Sequence, residues 1–350
     1  MGESIGWGVI GAGGIADRRT MPAMAECEHV RLVALMDIDL ERTQALSQKY
    51  GVAGFDSAEA LLQCPDVQAV YIATPVDVHC QQTIAAARSG KHVLVEKPLA
   101  RNLDEADRMI AALAEAGVFA TEGYMMKFHS LHRRLFELVG SGALGQVVSM
   151  RGQLSCWYPP IEGAWRQQKQ RGGGGALMDM ATHIYDLMMA LVGPVRSVRA
   201  LVSTQVHGYE VEDSSTTLLE FASGTHATVD CFFSIPDQAS FGRLEVYGSR
   251  GSVLAEGTIG QDGTGTMTAY LSQQADYEAE QPSDGGERNA LGITAEPVNM
   301  YAAEVDYLSR CILEGEAPTL NTIASGREVL EVALAAYRSA AQGRRIPIRP

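Results

Sequence analysis

The sequence has no long apolar run, no close pair of cysteines and no excess of basic residues, and each absence excludes a class of protein. No run reaches the roughly 20 apolar residues that a membrane-spanning helix needs. The six cysteines include no C-x-x-C pair, which favours scattered reduced thiols over a disulfide framework or a zinc site. A net charge of −14, from 28 Lys and Arg against 42 Asp and Glu, disfavours binding to a nucleic-acid backbone.

The composition that is present is typical of a globular protein. The 350 residues suffice for about two domains at roughly 150 residues each. Hydrophobic residues make up 46% and charged residues 20%, which is ordinary globular usage. The first residues, MGESIGWGVIGAGG, have neither a basic leader nor a separate apolar segment, so no signal peptide is predicted. These features predict a soluble, cytoplasmic protein.

The first third of the chain alternates short apolar runs with helical patterns. IGWGVIGAG, VRLVALMDID, VQAVYIATP, HVLVEKP and VFATEGY each predict a strand, and the patterns between them predict helices at 40–50, 78–89 and 103–116. Asn102 is the expected N-cap of the last helix, and Gly117 is its expected end. Strands that alternate with helices predict an α/β fold with a doubly wound parallel sheet.

The rest of the chain predicts a mostly antiparallel sheet with helices on one face. Strand-like runs recur at hairpin spacing between residues 146 and 257, with glycines at the expected turns. Residues 281–297 are polar and rich in glycine, which predicts a loop. Helices are predicted near residues 131–139, 176–191, 298–313 and 322–342.

The predicted domain boundary lies near residues 121–127, where the alternation of strands and helices stops. No internal repeat or low-complexity segment divides the chain further. We therefore predict two domains, 1–122 with the parallel sheet and 123–350 with a large, open, mostly antiparallel sheet.

A glycine-rich segment follows the first predicted strand directly. Gly11, Gly13 and Ala16 fit G-x-G-x-x-A, the form of the dinucleotide fingerprint that ends in a small residue. The first glycine permits a tight turn, the second lets the backbone approach a pyrophosphate, and the alanine leaves room for the helix against the strand. Because the phosphates would lie on backbone amides at the helix start, Gly14 and Ile15 are candidate cofactor contacts as well.

The second predicted strand ends in an acidic residue at the spacing that ribose binding requires. Asp37 follows Ala16 by 21 residues, where a carboxylate accepts hydrogen bonds from the adenosine ribose hydroxyls. A carboxylate there repels the 2′-phosphate of NADP, which favours NAD. Arg42 lies nearby and is able to bind a phosphate, so NADP stays open as an alternative.

Two further strand ends carry residues that suit ligand binding, since ligands of such sheets bind outside the carboxyl ends of the strands. One strand ends in Ala73, Thr74 and Pro75. His79 begins the helix that follows it. The apolar run HVLV leads into Glu96 and Lys97, and the lysine is either a ligand contact or a solvated partner of the glutamate.

Four consecutive glycines precede a helix with carboxylate and imidazole side chains. Asp179, His183 and Asp186 follow the i, i+4, i+7 spacing that places side chains on one helix face. A carboxylate one turn from an imidazole orients the ring and tunes its basicity, which suits general acid–base catalysis, although a surface ion pair has the same pattern. No second pair of ligands appears at a suitable spacing, so no metal site is predicted. The glycines either allow close packing of the backbone or form a flexible loop.

These segments together resemble the Gfo/Idh/MocA family (glucose–fructose oxidoreductase, inositol dehydrogenase and MocA) over essentially the whole chain. The resemblance rests on GAGGIA, ATPVDVH, VEKPLA, GYMMKFH, AWR and GGGGALMDMATHIYD. It implies an N-terminal Rossmann domain and a C-terminal α/β domain. The open sheet of the second domain commonly forms the oligomer interface in this family, so the resemblance implies a homodimer or homotetramer.

The resemblance also implies roles for individual residues. Lys97 would contact the nicotinamide ribose and the substrate hydroxyl. Asp179 and His183 would complete the Lys–Asp–His set of inositol dehydrogenase-like members. Four further residues would line the sugar pocket: Tyr124, Lys127, Trp165 and Arg166.

These roles imply an enzyme that transfers a hydride between NAD(P) and a secondary alcohol or ketone of a sugar or cyclitol. His183 would take the hydroxyl proton, Asp179 would hold the geometry and Lys97 would stabilise the developing alkoxide. One alternative keeps NAD tightly bound and oxidises, then re-reduces, the sugar around the cleavage of a glycosidic bond. A sugar-responsive regulator without activity is a further alternative, and it would not need Lys97 and His183.

Overall fold

The chain forms two compact units, which the computed structural model describes over residues 3–272 and 290–348. The first unit consists of the chain up to Met125, Gly163–Gly174 and Asn299–Glu331. The second unit consists of Met126–Glu162, Gly175–Val298 and the chain from Val332 onward. Two segments that follow the predicted boundary therefore belong to the first unit.

The first unit is built on a sheet of six strands: β1 (Ile5–Ile10), β2 (Val30–Met36), β3 (Ala53–Phe55), β4 (Ala69–Ile72), β5 (His92–Val95) and β6 (Ala120–Glu122). Their order is β3-β2-β1-β4-β5-β6, and all neighbouring strands are parallel. This confirms the predicted doubly wound sheet and adds β3, which was not predicted. The order reverses between β1 and β4, and ligands bind at such a switch point outside the carboxyl ends of the strands.

The α-helices of the described residues are α1 (Met21–Met24), α2 (Leu40–Tyr50), α3 (Ala58–Leu62), α4 (His79–Arg88), α5 (Leu103–Ala116), α6 (Ser130–Gly140), α7 (Lys169–Gly172), α8 (Thr182–Val192), α9 (Met300–Glu314) and α10 (Ile323–Gln342). The predictions for α2 and α5 are confirmed to the residue. Asn102 caps α5 by accepting the N–H of Glu105 over 2.9 Å, and Gly117 ends the helix with φ +65°. Across residues 3–272 and 290–348, every helix is too short or too polar for a membrane span.

The second unit is built on a sheet whose described strands are β7 (Val147–Ser155), β8 (Val195–Ser203), β9 (Ser214–Phe221), β10 (His226–Phe232), β11 (Arg243–Gly248), β12 (Gly251–Glu256), β13 (Thr266–Leu271), β14 (Ala290–Ile293) and β15 (Ile346–Pro347). Their order is β14-β13-β12-β11-β7-β10-β9-β8-β15. The pairs are antiparallel except β7 with β10. The predicted mostly antiparallel sheet is confirmed.

Two parts of the second unit differ from the sequence-based expectation. The predicted loop 281–297 contains β14, because four of its residues pair with β13 and tertiary pairing outweighs their weak strand propensity. Residues 281–289 of that predicted loop lie outside the described residues. The predicted helix 176–191 begins with a π-helical turn, Leu177–Ala181, before α8 continues.

Candidate active site

A cavity of about 550 Å³ lies in the first unit at the carboxyl ends of β1, β2, β4 and β5. This volume is typical of a small-molecule site. Most of the residues predicted to bind cofactor line it, together with three predicted to bind substrate, of which Lys97 belongs to both groups. They are Gly11, Gly13, Gly14, Ile15, Asp37, Arg42, Ala73, Thr74, Pro75, Glu96, Lys97, Trp165 and Arg166.

The loop after β1 requires glycine at Gly11 and is tightly packed at Gly13 because its neighbours are close. Gly11 has φ +87° and donates its N–H to the carbonyl oxygen of Met36 over 2.9 Å. A Cβ on Gly11 would come within 2.9 Å of the carbonyl carbon of Ala73. A Cβ on Gly13 would lie 3.3 Å from Oδ2 of Asp37, the atom that accepts the Gly13 N–H over 3.0 Å. The loop is thereby held against the ends of β2 and β4.

The Asp37 carboxylate is buried and accepts three hydrogen bonds from the first unit. Oδ2 accepts the N–H of Gly13, and Oδ1 accepts the N–H of Asp39 and Nη1 of Arg42, each over 3.0 Å. Nη2 of Arg42 also lies 3.2 Å from Oδ2 of Asp39. One guanidinium therefore faces two carboxylates, and this corner of the cavity is net negative.

Glu96 and Lys97 lie side by side after β5, partly buried. The Tyr71 hydroxyl donates to Oε1 of Glu96, and the Lys97 N–H donates to Oε2 over 3.2 Å. Burial raises the pKa of Glu96, opposed by the Tyr71 hydrogen bond and by the charges of Lys97 and Arg166. Burial and the adjacent carboxylate hold the pKa of Tyr71 well above its usual range. The peptide bond between Lys97 and Pro98 is cis.

Three predicted contacts of the first unit do not line the cavity. Ala16, His79 and Tyr124 are buried and lie outside its lining. Nε2 of His79 lies 2.9 Å from the carbonyl oxygen of Thr74, and Nδ1 lies 3.2 Å from that of Pro98. Since burial lowers the pKa of this ring, the neutral form is favoured and only one nitrogen donates. His79 therefore contacts the backbone of two strand-end loops rather than the cavity itself.

The segment Gly163–Gly174 forms part of the cavity wall. The guanidinium carbon of Arg166 lies 4.3 Å from the ring centre of Trp165, which is a cation–π distance. Arg171 lines the cavity, and its Nε lies 3.5 Å from a carboxylate oxygen of Asp77. Trp165 and Arg166, which the resemblance places in a sugar pocket, thus share a cavity with the glycine loop.

The cavity is positive although the chain as a whole has a net charge of −14. Four cations and two carboxylates line it: Arg42, Lys97, Arg166 and Arg171, with Asp37 and Glu96. Such a lining attracts an anionic group such as a pyrophosphate. Within the described residues, no group of three or more His, Cys, Asp or Glu side chains is placed to hold a metal ion.

Asp179 and His183 lie at the start of a helical segment in the second unit. Asp179 is part of the π-helical turn Leu177–Ala181, which packs against β7 and β10. His183 lies in the first turn of α8 and is buried, whereas Asp179 is partly exposed. Single π-helical turns are frequent at functional sites.

Lys127 and Asp186 form a buried ion pair in the second unit. Nζ of Lys127 lies 2.7 Å from Oδ1 of Asp186, and the side chains are 7% and 3% exposed. Oδ2 of Asp186 has no hydrogen-bond partner among the described residues. Burial raises the pKa of Asp186, and the charge and hydrogen bond of Lys127 oppose this. The ammonium that the resemblance assigns to substrate is directed at Asp186, one turn along α8 from His183.

Six residues that line the cavity were not predicted. Met36 and Ile38 flank Asp37 in the sequence. The predicted ribose contact at Asp37 therefore indicated that its two neighbours also lie near the cavity. No feature of the sequence around Arg171 indicated its position, because nothing there shows that the segment Gly163–Gly174 packs in the first unit. The six are Met36, Ile38, Val78, Gln82, Gly163 and Arg171.

Two family descriptions match consecutive parts of the chain. Residues 5–124 match an oxidoreductase family with an NAD-binding Rossmann fold, and residues 132–254 match the GFO/IDH/MocA C-terminal domain. The chain is also 30% identical over 341 residues to 1,5-anhydro-D-fructose reductase of Ensifer adhaerens, a match that covers 96% of each protein. The chain belongs to the Gfo/Idh/MocA family.

Other Gfo/Idh/MocA proteins are similar over nearly the whole chain. D-xylose 1-dehydrogenase (NADP(+)) 2 of Haloferax volcanii is 30% identical over 338 residues, 96% of this chain and 98% of that protein. The solved structure of aldose-aldose oxidoreductase from Caulobacter crescentus, complexed with glycerol, aligns with a TM-score of 0.88 and 30% identity over 99% of this chain and 100% of that one. Levoglucosan dehydrogenase, complexed with NADH and levoglucosan, shares the fold with a TM-score of 0.87 at 22% identity, over 99% and 100% of the two chains.

These matches confirm the predicted family and class. The protein is an oxidoreductase with an NAD-binding Rossmann domain, and its named relatives act on sugars. The cavity described above lies in that domain.

Proposed function

We propose that the protein transfers a hydride between NAD and a secondary alcohol or ketone of a sugar or cyclitol. The observation that carries this proposal is the cavity of the first unit, where the glycine loop, the Asp37 carboxylate and Lys97 line one space. The names of the relatives support the same class, since they include a 1,5-anhydro-D-fructose reductase and a D-xylose dehydrogenase.

NAD is proposed over NADP because of the charges around Asp37. The hydrogen bonds to Gly13, Asp39 and Arg42 use three of the about four acceptor positions of this carboxylate, which leaves one for a ribose hydroxyl. A 2′-phosphate would meet the carboxylates of Asp37 and Asp39 with a single guanidinium between them. The repulsion favours the cofactor that lacks this phosphate.

In the proposed reaction each predicted catalytic residue has one role. Bound NAD supplies the ring that accepts the hydride. His183 takes the proton of the substrate hydroxyl as general base, and Asp179 orients the imidazole or a substrate hydroxyl. Lys97 places its positive charge next to the substrate oxygen as negative charge develops there.

The first experiment measures nicotinamide absorbance with NAD and then NADP against a panel of inositols, aldoses and anhydro-sugars. Steady NADH formation with at least one compound, faster than NADPH formation, is the expected result. A purified protein that binds neither cofactor contradicts the proposal. Bound NAD(H) that changes redox state without net turnover replaces it with the internal-redox alternative.

We also propose that the protein is a cytoplasmic homodimer or homotetramer assembled through the open face of the second sheet. Leu201 on β8 and Leu218 on β9 lie on the same face, since Leu201 pairs with Thr216 and Leu218 with Arg199. They are 71% and 52% exposed, and exposed apolar side chains on a sheet face are typical of an interface. Light scattering that returns the mass of one chain contradicts the assembly.

A further inference from the structure

We propose that Glu212, together with Tyr337, positions Asp179 for catalysis, an inference that rests on the proposed function. The starting point is the N–H groups of residues 175–178, directly before Asp179. At the start of a helical segment such groups have no partner within the helix. Those of Gly175 and Leu177 donate to Oε1 of Glu212, each over 3.0 Å.

The remaining two N–H groups are bound by the same pair of residues. The N–H of Ala176 donates to the backbone carbonyl oxygen of Glu212 over 3.0 Å. The N–H of Met178 donates to the Tyr337 hydroxyl. That hydroxyl in turn donates to Oε1 of Glu212 over 2.7 Å. Glu212 and Tyr337 therefore complete the first turn up to the residue before Asp179.

Close packing of Gly175 against Glu212 also fixes the position of the Asp179 backbone. A Cβ on Gly175 would lie 2.0 Å from the carbonyl oxygen of Glu212, so only glycine permits the contact. The N–H of Asp179 donates to the carbonyl oxygen of Gly175 over 2.9 Å. The last of the four consecutive glycines thus packs closely against Glu212, and Asp179 is one hydrogen bond from that contact.

The charge of Glu212 also suits the position. A carboxylate at a helix N-terminus interacts favourably with the aligned peptide dipoles. Burial raises the pKa of Glu212, opposed by the hydrogen bonds from Tyr337, Leu177 and Gly175. Because Oε1 acts only as an acceptor in all of these contacts, a glutamine amide oxygen is able to replace it.

The test compares turnover and cofactor binding in variants of the full-length protein. Glu212→Ala is expected to lower kcat about 100-fold, the effect of misplacing a catalytic group by about 1 Å. NADH affinity, measured by fluorescence titration, stays within about twofold, since Glu212 lies in the other unit from the cofactor cavity. Glu212→Gln restores kcat to within about threefold of wild type, and Tyr337→Phe gives an intermediate loss.

Ser339→Ala is the matched control. Ser339 lies on α10 like Tyr337, is fully buried, accepts the N–H of Ala200 and donates to the carbonyl of Arg344. The variant therefore loses a buried hydroxyl from the same helix without touching residues 175–178. Its kcat is expected to remain that of wild type.

Each outcome separates this inference from the proposed function. An active wild type with an equally active Glu212→Ala, or a Glu212→Gln as impaired as Glu212→Ala, overturns the inference alone. If Glu212→Ala does not fold, Glu212→Gln and Tyr337→Phe carry the comparison. If the wild type turns over no substrate, the proposed function fails. Amide hydrogen exchange of residues 175–179 then still tests whether Glu212 and Tyr337 hold this turn. Faster exchange in Tyr337→Phe than in Ser339→Ala supports the inference, and equal exchange overturns it.

Discussion

At the residue scale, two buried histidines show how hydrogen-bond partners decide the role of a side chain. Nδ1 of His132 lies 2.9 Å from the carbonyl of Met126, and Nε2 lies 3.0 Å from the Thr258 hydroxyl, so a neutral ring donates to one and accepts from the other. His79 faces two carbonyls and, when neutral, satisfies only one. Burial lowers the pKa of both rings, that of His132 to about 3.

The proposed catalytic roles make a prediction at this scale. Lys97→Ala and His183→Ala are each expected to lower kcat about 100-fold to 10,000-fold, the range for loss of an acid–base or electrostatic catalyst. Stopped-flow or steady-state absorbance measures this, once a substrate is known. NAD affinity is expected to fall only slightly for His183→Ala, because the cavity proposed to bind NAD lies in the first unit and His183 in the second. A His183→Ala variant that loses turnover and cofactor binding together contradicts the assignment of roles.

At the scale of elements, local rules account for the start of α5 but not for the start of the helical segment before α8. Asn102 and Gly117 delimit α5 by capping interactions that are visible in the sequence. The segment before α8 has no capping side chain of its own, and a residue from a distant part of the chain takes that place. Its first turn is π-helical, which the sequence spacing did not predict.

The Lys127–Asp186 pair gives a prediction about the packing of α8. Lys127→Met leaves a buried carboxylate without its partner and is expected to lower the free energy of unfolding by about 3–5 kcal/mol. Replacing both residues, as Lys127→Met with Asp186→Leu, is expected to cost less than the single change, because no buried charge remains. Urea unfolding measures the difference.

A matched surface pair controls for the loss of any salt bridge. Arg134 and Glu137 pair on α6 with side chains 53% and 61% exposed, so Arg134→Met is expected to change stability by less than about 0.5 kcal/mol. A Lys127→Met variant as stable as Arg134→Met would show that the buried pair does not hold α8 in place.

At the scale of the whole molecule, the charge of the cavity in the first unit differs in sign from the net charge of the chain. The chain is acidic overall, yet the cavity is lined by more cations than carboxylates. Two of these cations, Arg166 and Arg171, come from the segment Gly163–Gly174. An anionic ligand is therefore attracted to this cavity although the net charge of the chain is negative.

The stability of the whole chain is expected to depend on pH through its buried histidines. The pKa of His132 is near 6.5 in the unfolded chain and about 3 in the folded protein. Between these values only the unfolded chain binds the proton, so the free energy of unfolding falls as the pH drops below 6.5. Urea unfolding at pH 7 and pH 5 is expected to show a loss that is about 2 kcal/mol smaller in His132→Gln than in wild type.

The difference between the two proteins is the relevant quantity, since carboxylates titrate in the same range. Lowered pKa values of His79 and His129 add to the wild-type loss with the same sign. Equal losses in His132→Gln and wild type would show that His132 is accessible to protons in the folded state.

The sequence by itself determined the features that depend on neighbouring residues or on fixed spacing. Gly11, Gly13 and Asp37 line one cavity, and the sequence indicates their proximity because a strand, a turn and a helix follow each other within a short segment. The limits of α2 and α5 and the parallel sheet also followed from local patterns, and the family followed from the resemblance of motifs along the whole chain.

Only the tertiary structure decided which distant segments complete each unit. Arg171 lines the cavity of the first unit and lies close to Asp77, β14 forms from part of a predicted loop, and Glu212 contacts Tyr337 across 125 positions of the chain. The sequence around these residues does not indicate which distant residue each of them contacts. The partners are selected when the sheets pack, because buried donors and acceptors must then find each other wherever they lie in the sequence.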